Sequence, residues 1–264
     1  ALVFPKFLLN TPEFSTTRAE LAQKSVDAIL DFGEKGFPGI LVETIAIFIN
    51  NLAAPANTKV FSLTHRLHLT QPQAYIFDPE LPYWIIYRNQ LFDSVCRKLD
   101  FDVFEVFRDR QLTNKLLSSS GELRVLKSRN LSDDGKEILD IPGYDSYISY
   151  AAAKPLSVFQ YLDAPNVYLT PNMTYKPRMM KKPPHCVVNG SLAILIPKGG
   201  IVPTEKQLAY FSSEEYRAFY QIARNFQTRS LNVDACSVFF YGLLRDEAKP
   251  APEKFDTSVQ LSFL

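Results

Sequence analysis

The stretch Ala28-Ile29-Leu30-Asp31-Phe32-Gly33 and the later stretch Val42-Glu43-Thr44-Ile45-Ala46-Ile47-Phe48-Ile49-Asn50 decide the fold expected for the start of this chain. Both are typical of strands, and the loop between them is rich in Gly and Pro. The second is apolar at successive positions, which favours a strand covered by helices on both faces. A helix is predicted before them, over residues 11–26, with Thr11 as N-cap and Pro12 at its first position. Helix, strand, loop and strand in this order indicate the end of an α/β sheet.

The pattern changes after about residue 50. Residues 59–69 alternate like a strand, and residues 81–99 place apolar side chains near one helical face. A boundary is predicted close to Asp100, beyond which turn signals such as Asn189-Gly190 separate short apolar runs. The short strands predicted there cover residues 103–107, 123–126, 167–169, 187–188, 192–196 and 238–244.

A helix is also predicted over residues 213–226, capped by Ser212 or Ser213. The expected organisation is therefore an α/β region at residues 1–99, a mixed α+β domain at residues 100–248 and a tail at residues 249–264.

Composition places the chain among ordinary globular proteins, with 46% hydrophobic and 22% charged residues. No stretch approaches the ~18–20 uninterrupted apolar residues of a membrane span, so no membrane is predicted as a partner. The chain begins at Ala1 in an apolar run without a signal-peptide pattern, which predicts a piece of something longer. Cys96, Cys186 and Cys236 are odd in number and scattered, which favours reduced thiols and a cytoplasmic location.

The net charge of +1 hides an uneven distribution. Residues 170–230 contain nine basic and three acidic residues, a net charge of +6, which leaves −5 for the rest of the chain. A basic surface inside a neutral protein fits a polyanionic partner. A lysine-rich solvated face has the same composition, so the charge alone does not decide between the two.

The common catalytic and cofactor motifs are missing from the sequence. There is no GxGxxG or GxxxxGKS/T phosphate loop, no HExxH metal motif and no GxSxG nucleophile turn. His65 and His68 are three residues apart, but no Cys or carboxylate stands near them at zinc spacing. No catalytic residue and no metal ligand is therefore predicted.

The first fifty residues resemble the adenine-specific DNA methyltransferases of bacterial restriction–modification systems. The matching positions are Leu2-Val3-Phe4-Pro5-Lys6, then Arg18, the run Ile29-Leu30-Asp31-Phe32-Gly33, Phe37 and the run from Val42 to Phe48. In that family a strand ending in Pro, a helix with an Arg, a strand ending Asp-Phe-Gly and a further strand close the catalytic sheet. The resemblance thus implies an α/β remnant of a methyltransferase sheet.

The rest of the chain is similar to the target recognition domain that this class carries at its C-terminal end. The matching stretches are Phe104 to Leu116, Val125 to Leu131, Gly143 to Ile148, Asn189 to Leu195, Leu208 to Tyr220 and Ser230 to Val233. In that class a strand bearing Lys or Arg leads into a polar turn, and a helix packs against the reading surface. Their order along the chain carries this resemblance.

The resemblance implies sequence-specific recognition of double-stranded DNA, with an upstream catalytic domain of the same protein as a further partner. The parent enzyme would flip an adenine and methylate it from S-adenosylmethionine. The family's cofactor loop and its Asn/Asp-Pro-Pro-Tyr/Phe motif do not occur here; Asp78-Pro79-Glu80-Leu81 is not a substitute. No cofactor and no catalytic residue is therefore assigned to this chain.

Reading a duplex requires donors and acceptors at base edges, and cations or amides at phosphates. The best candidate is the extended basic segment 175–184, leading to the turn at Asn189, and the second is the strand-to-turn segment 127–130. Arg229, after the predicted helix, is a third. The predicted DNA-binding residues are Lys127, Ser128, Arg129, Asn130, Tyr175, Lys176, Arg178, Lys181, Lys182, Asn189 and Arg229.

Two other functions stay open at this point. One is the specificity part of a fused restriction endonuclease–methyltransferase, which only upstream sequence would distinguish. The other is a protein-interaction module with no role on DNA.

Overall fold

A computed structural model describes residues 1–37, 39, 41–228 and 232–248. The fold is mixed α/β, with several sheets and few helices. Two compact units can be separated. Of the described residues, unit 1 contains 1–98, 219–228 and 247–248, and unit 2 contains 99–218 and 232–246. The predicted tail at residues 249–264 lies outside the described residues.

Unit 1 is built on a five-stranded sheet. Its elements are β1 (Leu2–Pro5), α1 (Ser15–Ala22), β2 (Ser25–Gly33), β3 (Thr44–Asn50), β4 (Asn57–Ser62), β5 (Leu67–Pro72), α2 (Gln73–Ile76) and α3 (Gln90–Lys98). The strand order is β1-β3-β2-β4-β5. Only β2 and β4 are parallel among the paired neighbours, and the other three pairs are antiparallel.

The expectation for β3 is confirmed over its first half only. Thr44 to Ile47 are buried one after another, as a strand covered on both faces requires, but Phe48 is 42% exposed. The helix predicted over residues 11–26 is shorter than expected. It becomes a 3-10 turn at Pro12–Phe14 followed by α1, and Val26 instead pairs with Ile49 in the sheet.

Two more predictions for unit 1 were wrong in extent. Residues 59–69 form the strands β4 and β5, which pair antiparallel around a turn where Arg66 has a positive φ of 51°. The helix expected over residues 81–99 begins only at Gln90. Asn89 directly precedes this helix and caps its start, because the side-chain Oδ1 of Asn89 accepts a hydrogen bond from the Phe92 backbone at 3.0 Å.

Unit 2 contains three sheets of short strands. Its elements are β6 (Leu99–Asp100), β7 (Phe104–Phe107), β8 (Leu123–Leu126), β9 (Ser146–Ile148), α4 (Tyr150–Ala153), β10 (Tyr168–Pro171), β11 (Met180–Lys181), β12 (Cys186–Val188), β13 (Leu192–Pro197), α5 (Glu205–Tyr210), the first half of α6 (Glu214–Ala223) and β14 (Leu243–Leu244). The residues of α6 from Phe219 onward belong to unit 1. The sheet orders are β11-β10-β13-β7, β12-β8-β9 and β14-β6. The first two sheets share one core, in which Val125, Leu169, Val187 and Ile194 are fully buried.

Most of the short strands predicted beyond Asp100 are confirmed, with one exception at the end of the unit. Residues 238–244 were predicted as a strand, but they form the end of a 3-10 helix at Ser237–Phe240 and then the short β14. The predicted helix over residues 213–226 is α6, and Ser213 caps it by accepting a bond from the Tyr216 backbone at 3.1 Å. Asn225 and Phe226 have positive φ and lie beyond the helix. In the described part of the chain no helix is both long and apolar enough to cross a membrane.

Candidate nucleic-acid interface

Several strands of unit 2 end at one place, where they bring two of the predicted segments together. β8 and β12 are parallel neighbours, with Leu126 opposite Val188. Their carboxyl ends therefore lie at the same edge, and Lys127 and Asn189 follow them there. The backbone N–H of Asn189 donates to the carbonyl of Leu126 at 3.1 Å, which fixes the two chain segments to each other.

The neighbouring sheet ends at the same place. β13 starts at Leu192, just after Asn189. β10 ends at Pro171, opposite Leu192, and β7 ends at Phe107, opposite Ile194. The residues that follow β7 and β10 are Arg108 and Asn172. We call the resulting region the strand-end surface, and it consists of residues 108–110, 127–130, 172 and 189–191.

The turn at residues 127–130 is held by internal hydrogen bonds. Asn130 is fully buried, and its Oδ1 accepts from the Lys127 backbone at 3.0 Å. Its amide nitrogen donates to the Leu139 carbonyl at 3.0 Å and to Asp145 at 2.6 Å. The Ser128 backbone is bonded to Ser191 Oγ at 2.9 Å, which ties this turn to the turn after β12. Asn130 therefore acts as a structural anchor, and its amide is not available at the surface.

The turn at residues 189–191 is fixed on its other side by Asn172. The side-chain amide of Asn172, only 7% exposed, donates to the Gly190 carbonyl at 3.0 Å and to Asn232 Oδ1 at 2.9 Å. Asn189 Oδ1 in turn accepts from the backbone and the hydroxyl of Ser191. The amide side chains of Asn172 and Asn189 thus both hold this turn in place.

The segment 108–110 was not among the predicted binding residues, although it lies inside a stretch that carries the resemblance. Arg108 is half-buried and Arg110 is exposed. Among the described residues neither guanidinium has a hydrogen bond or an ion pair. The carbonyl of Asp109 lies so close to Gly190 that a Cβ on that glycine would stand 2.7 Å from it. The signal in the sequence was the pair Arg108 and Arg110, directly after the strand predicted over residues 103–107. In the structure this segment lies at the strand-end surface.

Two of the cations predicted to bind DNA are buried in the structure. Arg178 is 8% exposed, and its guanidinium donates to the carbonyls of Ser128 at 3.1 Å and Leu131 at 3.3 Å. Lys182 is 4% exposed, and its ammonium donates to the carbonyls of Leu162 and Pro183. Both side chains support the protein's own loops, since buried carbonyls need donors. Neither presents a free charge to solvent.

The other predicted residues divide by position. Lys176 is exposed beside the turn at residues 127–130 and forms an open ion pair with Asp133 at 3.3 Å. Tyr175, next to it, is 48% exposed. Lys181 is exposed but lies opposite Tyr168 at the start of β10, and is therefore not brought to the strand-end surface. Arg229 lies outside the described residues.

Charge and aromatic contacts shape the exposed side of the 127–130 turn. The ammonium of Lys127 lies 3.9 Å from the ring centroid of Tyr144, and the guanidinium of Arg129 lies 4.6 Å from the same centroid. Desolvation lowers the pKa of Lys127, and the charge of Arg129 lowers it further against the opposing effect of Asp145. Desolvation and the charge of Arg110 likewise lower the pKa of Arg108. The surface therefore concentrates positive charge that the protein only partly compensates.

A second polar cluster lies in the core of unit 1. Lys6, 1% exposed, forms an ion pair with the fully buried Asp31 at 2.7 Å, and the Tyr87 hydroxyl donates to the same carboxylate at 2.5 Å. The other oxygen of Asp31 accepts from the Gly33 backbone at 2.8 Å. Both carboxylate oxygens are thus used by the protein itself. Because Asp31 is fully buried, this arrangement is a structural ion pair.

The chain was compared with protein-family models and with curated proteins. No protein-family model matches it, and no curated protein matches it significantly. Within the described ranges no group of three or more His, Cys, Asp or Glu side chains is placed to hold a metal ion.

Proposed function

We propose that this chain recognises a short specific sequence in double-stranded DNA, as the target recognition portion of an adenine-specific DNA methyltransferase. The class comes from the sequence resemblance of the first fifty residues and of most of the chain beyond them. The observation that carries the proposal in the structure is the strand-end surface, where residues distant in sequence converge. Arginines and a polar turn at one edge provide the two kinds of contact that duplex recognition uses.

The exposed cations would set the position of the duplex. Arg108, Arg110 and Lys176 lie beside the strand ends with their charges accessible or only loosely paired. Guanidinium and ammonium groups bind phosphate oxygens strongly, and each such contact releases counterions from the DNA. These three side chains are therefore proposed as backbone contacts, which carry no sequence information of their own.

Arg129 and Asn189 would read bases. Arg129 is exposed on a turn fixed by Asn130, and Asn189 is partly exposed on a turn fixed by Ser191 and Asn172. Arginine suits the two acceptors of guanine, and the amide nitrogen of Asn189, whose Oδ1 accepts from Ser191, can donate to a purine acceptor such as N7. Rigid turns favour such contacts, since a side chain that is already placed loses less freedom on binding.

The proposal does not include methyl transfer by this chain. The cofactor loop and the adenine-holding motif of the resembled class have no counterpart in the sequence. The carboxylate of Asp31, buried in the unit 1 sheet, accepts from Lys6, Tyr87 and Gly33 through its two oxygens. S-adenosylmethionine is accordingly proposed as a ligand of the upstream catalytic domain only.

The test is selection of duplexes from a randomised pool by the 264-residue chain, followed by affinity measurement on the selected sequence. We expect one short motif to be enriched. Replacing Arg108 and Arg110 together with Ala should weaken binding to selected and unselected duplexes alike, because phosphate contacts do not depend on sequence. The matched control replaces Lys154 and Lys206, two exposed lysines of unit 2 outside the strand-end surface, and should leave affinity nearly unchanged.

Three results would contradict the proposal. Failure to retain any duplex at low salt would favour the protein-interaction module. Retention without an enriched motif would leave only non-specific attraction to a polyanion, and equal losses in the arginine and lysine variants would exclude the strand-end surface as the contact.

A further inference from the structure

Tyr144 is an unusual neighbour for two positive charges. Its ring lies within cation–π distance of both Lys127 and Arg129, at 3.9 Å and 4.6 Å from the centroid. Two like charges on one ring repel each other. Desolvation lowers the pKa of Lys127, and the charge of Arg129 adds to this effect against the opposing charge of Asp145. An electronegative group bound at this place would offset the repulsion. The arrangement is therefore better suited to a bound state than to the free protein.

The two cations differ in how many of their N–H donors are still unused. The Lys127 ammonium already donates to the Tyr144 carbonyl and, at 3.0 Å, to Ser146 Oγ. Arg129 is exposed, and within the described ranges its guanidinium has no hydrogen-bond acceptor and no carboxylate partner. Stacking on an aromatic face leaves the N–H groups at the edge of a guanidinium free to donate. Arg129 is thus the side chain with unused donors.

The segment that carries Tyr144 is itself fixed to the turn. Asp145, the next residue, accepts three hydrogen bonds, from Asn130 at 2.6 Å, from Arg124 at 3.0 Å and from the Ile141 backbone at 3.0 Å. Burial opposes ionisation of Asp145, but these donors and the Arg124 charge hold its pKa below its ordinary value. The ring and the turn therefore keep one relative position, and the direction of Arg129 is set before any ligand arrives.

From this geometry we infer that Tyr144 is a positioning residue that holds Arg129 ready to bind the O6 and N7 acceptors of one guanine in the recognised sequence. The inference rests on the proposed function and adds the base and the residue that aims at it. A planar guanidinium fork matches the two acceptors of guanine in the major groove. A backbone phosphate presents acceptors too, but it needs no fixed orientation, whereas the ring and the anchored turn supply one.

The experiment uses the selected duplex with each guanine replaced, one at a time, by 7-deazaguanine, which lacks the N7 acceptor. We expect one position at which the wild-type chain loses affinity by a factor near the lower end of the roughly 5- to 150-fold range of one bidentate pair, because the replacement removes N7 and leaves O6. Arg129→Ala should bind the unmodified duplex more weakly by at least that factor and should not respond to that replacement. Arg129→Lys keeps the charge and loses the planar fork, so it should bind the unmodified duplex more weakly than wild type and respond less to the replacement than wild type does.

Tyr144 is tested by a matched pair of substitutions. Tyr144→Phe keeps the ring, and it should retain the wild-type response to 7-deazaguanine. Tyr144→Leu should lose much of that response while its non-specific affinity for duplexes without the motif stays close to wild type. A purely structural role would change the melting temperature and the affinity for all duplexes together, so thermal melting of both variants accompanies the binding assay.

The outcomes separate the inference from the proposed function. If a motif is selected but no guanine replacement distinguishes wild type from Arg129→Ala, DNA recognition stands and the inference is wrong. If Arg129→Ala lowers the salt dependence of binding and leaves the motif preference unchanged, Arg129 contacts a phosphate, which also overturns it. If no duplex is bound at all, the proposed function fails and the inference fails with it.

Discussion

The individual basic residues of segment 175–184 have different roles, and the contacts of each side chain determine its role. Adjacent lysines illustrate this, since Lys181 is exposed on β11 and Lys182 is 4% exposed and bonded to two carbonyls. The sequence predicts that both belong to a basic binding segment. Composition shows which residues are charged, but it does not show which side of a short strand faces the core. The extended backbone of β11 continues to Lys182, whose N–H donates to the Val167 carbonyl at 2.9 Å, and the alternation of side chains along it accounts for the difference.

Replacing Lys182 with Ala should therefore act on stability. It removes the donor to the Leu162 and Pro183 carbonyls, and we expect the free energy of unfolding to fall by about 1–3 kcal/mol. Lys181→Ala is the natural control, with an expected change within about 0.5 kcal/mol as for most exposed positions. Urea denaturation of the two variants measures both effects. Equal stability of the two would show that the Lys182 contacts contribute little.

At the scale of elements, the strand-end surface depends on turns that interlock closely. Gly190 is an example, because a Cβ at that position would stand 2.7 Å from the Asp109 carbonyl. The apolar runs predicted the strands of unit 2 well, since their cores are made of local apolar patterns. Which strands pair could not be predicted, because the parallel pairing of β8 with β12 joins residues about sixty positions apart. The convergence of residues 108–110 with residues 189–191 was missed for the same reason.

Gly190→Ala should disturb this interlock. The contact is with backbone, so the turn and the 108–110 segment must move apart, and we expect a loss of roughly 1–3 kcal/mol in stability. Gly199→Asn is a suitable control, since Gly199 has a φ of 61° with open space around it, a conformation that Asn tolerates. Thermal melting compares the two. A Gly190→Ala variant as stable as the control would mean that the approach of the two loops relaxes without cost.

At the scale of the whole molecule, buried tyrosines make stability depend on alkaline pH. Burial, together with a hydrogen bond to a carboxylate, raises the pKa of Tyr75 above its ordinary value, and burial with the charge of Asp31 does the same for Tyr87. Above about pH 10 the unfolded chain releases these protons and the folded chain keeps them. Stability is therefore full below pH 10 and falls as the pH rises.

Tyr75→Phe checks this dependence, because the variant has one phenol fewer to titrate. The variant loses the 2.6 Å bond to Asp93 and should be less stable than wild type at pH 8. Between pH 10 and 11 its free energy of unfolding should fall less steeply than that of wild type. Urea denaturation at pH 8, 10 and 11 gives the three points. A slope equal to that of wild type would show that Tyr75 ionises as readily in the folded chain.

The mixed α/β character of the molecule followed from the sequence, and its proposed function rests on resemblance together with the strand-end surface. The measurement that tests this account most directly is the affinity of the chain for its selected duplex at rising salt concentration. We predict that the logarithm of the association constant falls linearly with the logarithm of salt concentration, with a slope of about −0.9 for each phosphate contacted. In the Arg108→Ala, Arg110→Ala double variant the slope should be shallower by roughly 2. An affinity that does not change with salt, or a slope that the double variant leaves unaltered, would contradict the account.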